Sequence, residues 1–169
     1  MRYLVVLSLL FSLVSSAELK IAVIELERAL NETSDGQKAQ KDLKKEFDKT
    51  QALLEKKQGE LKKAHEKFQS KSAVMNEKAR QEEGMKLQGQ IAEFQQLSGE
   101  SQQEFMAKQN ETMKGLLDKM TPIVESVAKK EDYDLVLNKT EATVVYAKPG
   151  LNITDRVVKD YDKKTSKKK

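Results

Sequence analysis

The sequence predicts a predominantly helical α+β fold, in which a small β body carries a long, protruding α-helical hairpin. Two observations support this fold. The middle of the 169-residue chain is free of Pro and repeats its apolar residues in heptads, and the whole chain has only 2 Pro and 7 Gly. Short β-branched segments stand on either side of this stretch. Helices of such length, at about 1.5 Å per residue, exceed the width of a compact domain, so the hairpin must protrude.

The first 17 residues have the pattern of a cleaved signal peptide. Arg2 provides a positive charge, an apolar run extends from Leu4 to Val14, and small residues precede a cleavage site after Ala17. The apolar run is shorter than the about 20 residues that span a bilayer. No other run approaches that length. We therefore expect an exported, soluble protein without stable membrane insertion.

The composition excludes most catalytic chemistry. The chain has no Cys and a single histidine, His65, which excludes disulfides, thiolate nucleophiles and multi-histidine metal sites. Neither a GxxxxGK[ST] nor a GxGxxG phosphate-binding loop is present. The sequence therefore predicts a protein that is not an enzyme and that needs no cofactor or metal.

The body is predicted to be discontinuous, from residues 18–36 and 131–162. Its first part contains a buried strand over residues 19–24 and a helical turn over residues 25–30, followed by Ser34 or Asp35 as the N-cap of the next helix. Its second part contains strands over residues 133–137 and 142–146, which have the spacing of a β-hairpin.

The end of the chain is predicted to be a short helix followed by a tail. Asn152 caps the helix in this interpretation, and the Lys-rich tail over residues 163–169 is expected to be disordered. So small a body has little apolar surface for a monomeric core, and association with other copies would compensate for this.

The arm is predicted to span residues 37–130, with its tip near residues 72–76. The predicted seam between its helices is apolar and follows heptad spacing: Leu43, Phe47, Leu54, Leu61, Phe68, Leu87, Ile91 and Phe94. Further along, Met106, Met113, Met120 and Val127 also recur every seven residues and are interpreted as core. A proline within a helix disrupts its hydrogen bonding, so we expect a kink or a helix restart at the candidate pivot, Thr121 and Pro122.

The chain resembles the Skp (OmpH-like) family of periplasmic chaperones over nearly its whole mature length. The resemblance is carried by Lys20-Ile21-Ala22-Val23-Ile24, by Asp132-Tyr133-Asp134-Leu135-Val136-Leu137, by the hairpin between them and by Asn152-Ile153-Thr154-Asp155-Arg156-Val157-Val158. It implies a homotrimer in the periplasm whose arms enclose unfolded outer-membrane proteins. It places six residues in the trimerisation body: Ile21, Val23, Leu135, Leu137, Val144 and Tyr146.

The charge pattern suggests how such an arm binds its clients without ATP. Residues 37–73 carry 11 Lys and six acidic residues, a net charge of +5, whereas residues 77–120 have a net charge of −2. These opposite charges are expected to help the helices pair, and the surplus positive charge would attract acidic unfolded chains. The candidate client contacts are apolar or basic: Val74, Met75, Met85, Leu97, Lys56, Lys57, Lys62 and Lys63.

Two other functions remain open from the residues alone. One is a structural coiled-coil spacer of the cell envelope that binds a folded partner. The other is a nucleic-acid or anionic-surface binder, which the pI of about 9.0 suggests. The second lacks stacking aromatic residues and any nucleic-acid motif, so no specific nucleic-acid partner is expected.

Overall fold

The computed structural model describes residues 18–166 and confirms the predicted fold class. The predicted signal peptide and residues 167–169 of the predicted tail lie outside the described residues. The elements are strand β1 (Ile21–Ile24), helices α1 (Leu26–Glu32), α2 (Ser34–Ser72) and α3 (Glu77–Lys130), strand β2 (Leu135–Asn138), a 3₁₀ turn (Pro149–Leu151) and helix α4 (Thr154–Ser166).

The two described strands form a parallel pair that joins the two ends of the hairpin. Ile21 pairs with Leu135 and Ile24 pairs with Asn138. Lys139 N donates to Ile24 O at 2.7 Å, which extends the pairing by one residue. Parallel strands need a long connection between them, and here α1 and the whole hairpin supply it.

The predicted second strand of a β-hairpin, over residues 142–146, is wrong. This segment is a turn followed by irregular chain, and it includes Val144 and Tyr146. Thr143 explains the difference, because its Oγ1 donates to Asn138 O at 2.6 Å and accepts from Thr140 N at 3.0 Å. These local side-chain hydrogen bonds compete with strand pairing immediately after β2.

The buried core lies in the body, where α1, α3 and α4 meet the sheet. Its members are all hydrophobic: Ala22, Ile24, Ala29, Leu30, Met120, Ile123, Val127, Ile153, Val157 and Tyr161. Tyr161 on α4 is fully buried, and this anchor explains why α4 extends to Ser166. The prediction of a disordered tail is therefore wrong for residues 163–166.

The N-cap of α2 is Thr33, one residue before Ser34 and two before Asp35, which were the predicted caps. Thr33 Oγ1 accepts from Gly36 N at 3.1 Å and donates to Leu30 O at 2.9 Å. Thr33 is fully buried, so this hydroxyl satisfies backbone groups of both α1 and α2 where they would otherwise have no partner. It joins the two helices at a sharp turn.

Helix α3 continues through Pro122 to Lys130, so of the two outcomes predicted at Thr121 and Pro122, a kink or a helix restart, the restart is wrong. Pro122 has no N–H for the carbonyl of Asp118. Thr121 Oγ1 donates to Leu117 O at 3.0 Å nearby. Met120 and Ile123 are both buried in the core, and this packing on either side of the proline holds the helix together.

Candidate functional site

The hairpin arm is built from the two longest helices of the described chain, α2 and α3. Helix α2 has 39 residues, which corresponds to a length of about 58 Å. It ends at Ser72, and α3 begins at Glu77, where Asn76 Oδ1 accepts from Ala79 N at 2.9 Å. Val74 at this reversal is 86% exposed. The arm therefore extends far beyond the core and presents an apolar side chain at its tip.

The seam between the arm helices is loosely packed. From residue 37 to residue 119, Leu87 is the only buried residue. Most of the other predicted seam residues are half-buried: Leu43, Leu54, Leu61, Phe68 and Phe94. Phe47 and Ile91 are 44% and 36% exposed. Few contacts of the arm are therefore protected from water, which is typical of segments that open locally.

Phe105 is a seam residue that the sequence analysis missed. Its ring lies 5.4 Å from that of Phe47, measured between centroids. The predicted heptad of Met106 and Met113 is shifted by one residue from the observed seam, and these two side chains are 55% and 40% exposed. The prediction that they belong to the core is wrong. An aromatic residue at position 105, opposite Phe47, is the signal that could have found the correct frame.

The ion pairs of the arm lie almost entirely within single helices. Examples are Lys57 with Glu60 at 3.9 Å and Lys62 with Glu66 at 4.0 Å. Among the described residues, Lys119 and Asp35 form the one ion pair that links α2 to α3, at 3.0 Å. Direct ion pairing between α2 and α3 is therefore confined to the root of the arm, and further out the helices meet through contacts such as that of Phe47 with Phe105.

The predicted client-contact residues lie along the arm and at its tip. Met85 is 58% exposed, and Met75 and Leu97 are half-buried. The four lysines are all exposed: Lys56, Lys57, Lys62 and Lys63. These residues do not converge on one pocket, which is the geometry of a long surface with many weak contacts rather than of a single binding cavity.

Two shallow grooves flank the seam on opposite sides and differ in charge. One is lined by Lys57, Glu60, Gln90, Glu93 and Leu97, among others. The other is lined mainly by neutral residues, including Gln51, Gln102, Phe105, Met106 and Gln109. The linings of these two grooves therefore differ in charge.

The body carries a second exposed apolar surface. Leu135 and Leu137 on β2 are 42% and 39% exposed, and Val145 and Tyr146 in the following segment are 95% and 77% exposed. Of the other residues predicted for trimerisation, Ile21 and Val144 are half-buried, whereas Val23 is buried within its own chain. Two of these exposed apolar side chains lie on β2 and two in the segment that follows it, and an association between copies would cover such groups.

An ionic cluster holds the loop after β2 against α1, beside an open cavity of about 1020 Å³. Glu25 accepts from Lys139 Nζ at 3.1 Å and from Asn152 Nδ2 at 3.0 Å. The hydrogen bond from Lys139 lowers the pKa of the Glu25 carboxyl. Arg28 extends the cluster to Asp155 on α4 at 3.0 Å.

Residues 18–166 hold no helix that is both long and apolar enough to cross a membrane. Over the same residues, no three or more His, Cys, Asp or Glu side chains are grouped so that they could hold a metal ion.

Comparison with known proteins identifies the family. The family model of the outer membrane protein (OmpH-like) family matches residues 20–161. The chaperone protein Skp of Blochmanniella pennsylvanica is 32% identical over 143 residues, which cover 85% of this chain and 86% of that protein. A Skp-like protein of Pseudomonas aeruginosa is 28% identical, over 84% of this chain and 83% of its own.

A solved structure shares the fold. A candidate outer membrane chaperone (OmpH-like) from Caulobacter crescentus matches with a TM-score of 0.79 over 88% of this chain and 86% of its own, at 19% identity. The family match spans β1, the whole arm, β2 and most of α4. The chain described here is a member of the OmpH-like (Skp) family.

Proposed function

We propose that the protein is an ATP-independent holdase of the periplasm, which binds unfolded outer-membrane proteins and prevents their aggregation on the way to the outer membrane. The proposal rests on the exposure of the arm. The hairpin is about 58 Å long, and from residue 37 to residue 119 only Leu87 is buried. So much side-chain surface outside the core suits a protein that binds extended chains. The relatives named as Skp chaperones support the same function.

The proposed assembly is a homotrimer whose bodies associate and whose arms enclose a cavity. Leu135, Leu137 and Tyr146 support it, because these exposed apolar residues cluster on the body rather than on the arm. The core of the body lies around α4 and the root of α3, so the exposed apolar side chains of β2 lie outside it. Association of the bodies would remove these side chains from water. The pivot proposed at Thr121 and Pro122 lies where the arm enters this core.

Weak contacts repeated along three arms would hold a client without any nucleotide. Each exposed contact contributes little, but three linked arms raise the effective concentration of binding sites around one client. The excess of lysine on α2, +5 over residues 37–73, would attract acidic segments from a distance. Release then needs only the loss of several weak contacts when the client begins to fold.

Light scattering after denaturant dilution tests the proposal. A urea-unfolded β-barrel outer-membrane protein is diluted with and without the protein, and we expect scattering to be suppressed at one trimer per client. The folded form of the same barrel serves as the control and should not bind. Undiminished scattering at this ratio would contradict the holdase function and would favour a structural spacer that ignores unfolded chains.

A further inference from the structure

The surface of α3 is organised by the heptad frame of the observed seam. Leu87, Phe94 and Ser101 are seven residues apart, and all three are at least half-buried. Ser98 and Phe105 continue this inward-facing side with the same spacing. Because the seam recurs every seven residues, any other set of residues seven apart keeps a constant position beside it.

One side of α3 between residues 81 and 113 carries no charge. The row next to the seam consists of five glutamines: Gln81, Gln88, Gln95, Gln102 and Gln109. The row outside it consists of apolar or small residues: Met85, Ala92, Gly99, Met106 and Met113. We call these ten residues the glutamine face. All ten are exposed.

The opposite side of the same helix is charged. The row next to the seam there contains Glu83, Glu104 and Glu111, with Gln90 and Leu97 between them. The next row contains Lys86, Glu93, Glu100 and Lys114, with Ala107 before the last of them. Seven of the ten positions in these two rows are ionic, in a chain that is 34% charged overall. The neutrality of the glutamine face is therefore a local property and not a property of the chain.

The five glutamine amides have no hydrogen-bond partner among residues 18–166, unlike Gln37, Gln40 and Gln96, whose amides bond to neighbouring groups. Each glutamine amide can donate and accept, as a peptide group does. Successive glutamines of the row are about 10.5 Å apart along the helix, which matches about three residues of extended chain.

We propose that the glutamine face of α3 is the client-binding surface of the arm, and that it binds the uncharged backbone of an extended, unfolded polypeptide. The proposal rests on the proposed holdase function and names its surface and chemistry. The amides pair with backbone N–H and C=O groups irrespective of client sequence. The methionines supply adaptable apolar contacts for client side chains.

Charge complementarity favours this occupant over others. A neutral, bifunctional amide row matches a neutral peptide backbone, whereas the counter-charges that α3 offers to an acidic or basic partner lie on its opposite side. A second helix is also a poor fit, because permanent coiled-coil pairing needs apolar residues at two positions of each heptad. Between Met85 and Met106 the outer row offers only Ala92 and Gly99.

Paired substitutions on the two sides of α3 test the proposal. Gln95→Glu/Gln102→Glu and Gln95→Lys/Gln102→Lys place two charges of either sign on the glutamine face. Gln90→Glu/Gln103→Glu and Gln90→Lys/Gln103→Lys are matched controls outside it, at exposed positions of the same helix. Both signs are needed because the adjoining edge of α2 carries Asp48, Glu55 and Lys62, which would respond differently to each.

The measurement is a titration of a fluorescently labelled, urea-diluted β-barrel protein with each full-length variant. Far-ultraviolet circular dichroism checks that the arm remains helical. We expect both glutamine-face variants to bind at least about fivefold more weakly than the wild type, and both controls to remain within about twofold. Equal binding by all five proteins would overturn the proposal, as would tighter binding by the Lys variant alone, which indicates simple charge attraction.

The titration also separates this proposal from the function on which it rests. If the wild type itself does not bind the unfolded barrel, the holdase function fails. If the wild type binds and the glutamine-face variants bind equally well, only the assignment of the surface fails. A changed assembly mass with unchanged client binding would overturn the assignment in favour of a contact between copies of the chain.

Discussion

Tyr161 on α4 donates its hydroxyl hydrogen to Asp35 Oδ2 on the first turn of α2, at 3.1 Å. The same oxygen accepts from Lys119 Nζ on α3 at 3.0 Å. One carboxylate thus joins the last helix of the body to the roots of both arm helices. It also lies at the N-terminus of α2, where the helix dipole stabilises a negative charge. This contact adds to the core packing that holds the arm against the body.

The first prediction concerns Tyr161→Phe, which removes the hydroxyl and leaves the ring in the core. We expect a loss of about 1–2 kcal/mol in the free energy of unfolding at neutral pH, because a hydrogen bond to a carboxylate is lost. Chemical denaturation followed by circular dichroism measures it. Val158→Ala is the control, because Val158 is a half-buried neighbour on α4. It weakens the packing of the helix but keeps the Tyr161 hydroxyl, so the dependence of its stability on alkaline pH should remain that of the wild type.

The same tyrosine predicts a specific pH dependence. Burial, followed by the negative charge of Asp35, raises the pKa of Tyr161. The unfolded state therefore loses this proton at a lower pH than the folded state, and stability falls as the pH rises above the ordinary tyrosine value of about 10. Relative to Tyr161→Phe, we expect the wild type to lose up to about 1.4 kcal/mol more per pH unit there. Parallel stability curves for the two proteins above pH 10 would contradict this.

A third prediction concerns Gly36, which is buried where α1 turns into α2. A Cβ at this position would lie 1.8 Å from the backbone oxygen of Leu30. We expect Gly36→Ala to destabilise the protein by about 3 kcal/mol or more, since backbone must move. Gly115→Ala is the control, because its Cβ would meet nothing within 4 Å, and it should stabilise α3 by up to about 1 kcal/mol. Thermal unfolding of both variants compares them, and a similar midpoint for both would be the contrary result.

A fourth prediction tests the observed frame of the seam. Phe105 contacts Phe47, whereas its neighbour Met106 is 55% exposed. Phe105→Ala should destabilise the arm by about 1–3 kcal/mol, less than a fully buried Phe because this ring is only half-buried. Met106→Ala should change stability by less than about 0.5 kcal/mol. Amide hydrogen exchange along α2 and α3 measures both effects. A larger destabilisation by Met106→Ala than by Phe105→Ala would show that Met106, and not Phe105, lies in the seam.

A fifth prediction concerns association through the body. If copies associate through the body as proposed, Leu135→Ser/Leu137→Ser should lower the mass of the assembly towards that of a monomer, because it removes apolar surface from β2. Leu53→Ser on the arm is a matched control, since Leu53 is 44% exposed and lies far from the body. Light scattering coupled to size-exclusion chromatography gives the masses. A body variant that keeps the wild-type mass would show that β2 lies outside the interface.

The long elements were predictable from sequence, and the errors came from local competition. The length and heptads of α2 and α3 predict a protruding hairpin, because only a helix repeats at this period. The strand predicted over residues 142–146 has suitable β-branched residues. The hydroxyl of Thr143, however, donates a hydrogen bond to the backbone oxygen of Asn138, and this local contact replaces strand pairing. Pro122 predicts a kink or a restart of the helix, yet α3 does not restart there, and Met120 and Ile123 are buried on either side of the proline. The intrinsic helix and strand propensities of the residues do not predict tertiary packing of this kind.

The candidate site was less predictable than the fold. Of two heptad frames one residue apart, that of Met106 is the more apolar in the sequence, because it continues with Met113 and Met120. Only the contact between Phe105 and Phe47 shows that the other frame faces the seam. The choice of frame also decides which residues are exposed. Once the frame is known, the five glutamines fall on one line and the acidic residues on another. Without the frame, the lysines of α2 are the most prominent feature of the arm's sequence, and the neutral surface of α3 cannot be recognised.

The most direct test of the holdase account is the mass of the complex that forms when a urea-unfolded β-barrel outer-membrane protein is diluted into an excess of this protein. Size-exclusion chromatography with multi-angle light scattering measures that mass. The account predicts a soluble complex of three copies of this chain with one client, and no client in the aggregate fraction. An aggregated client eluting apart from the unchanged protein would contradict it.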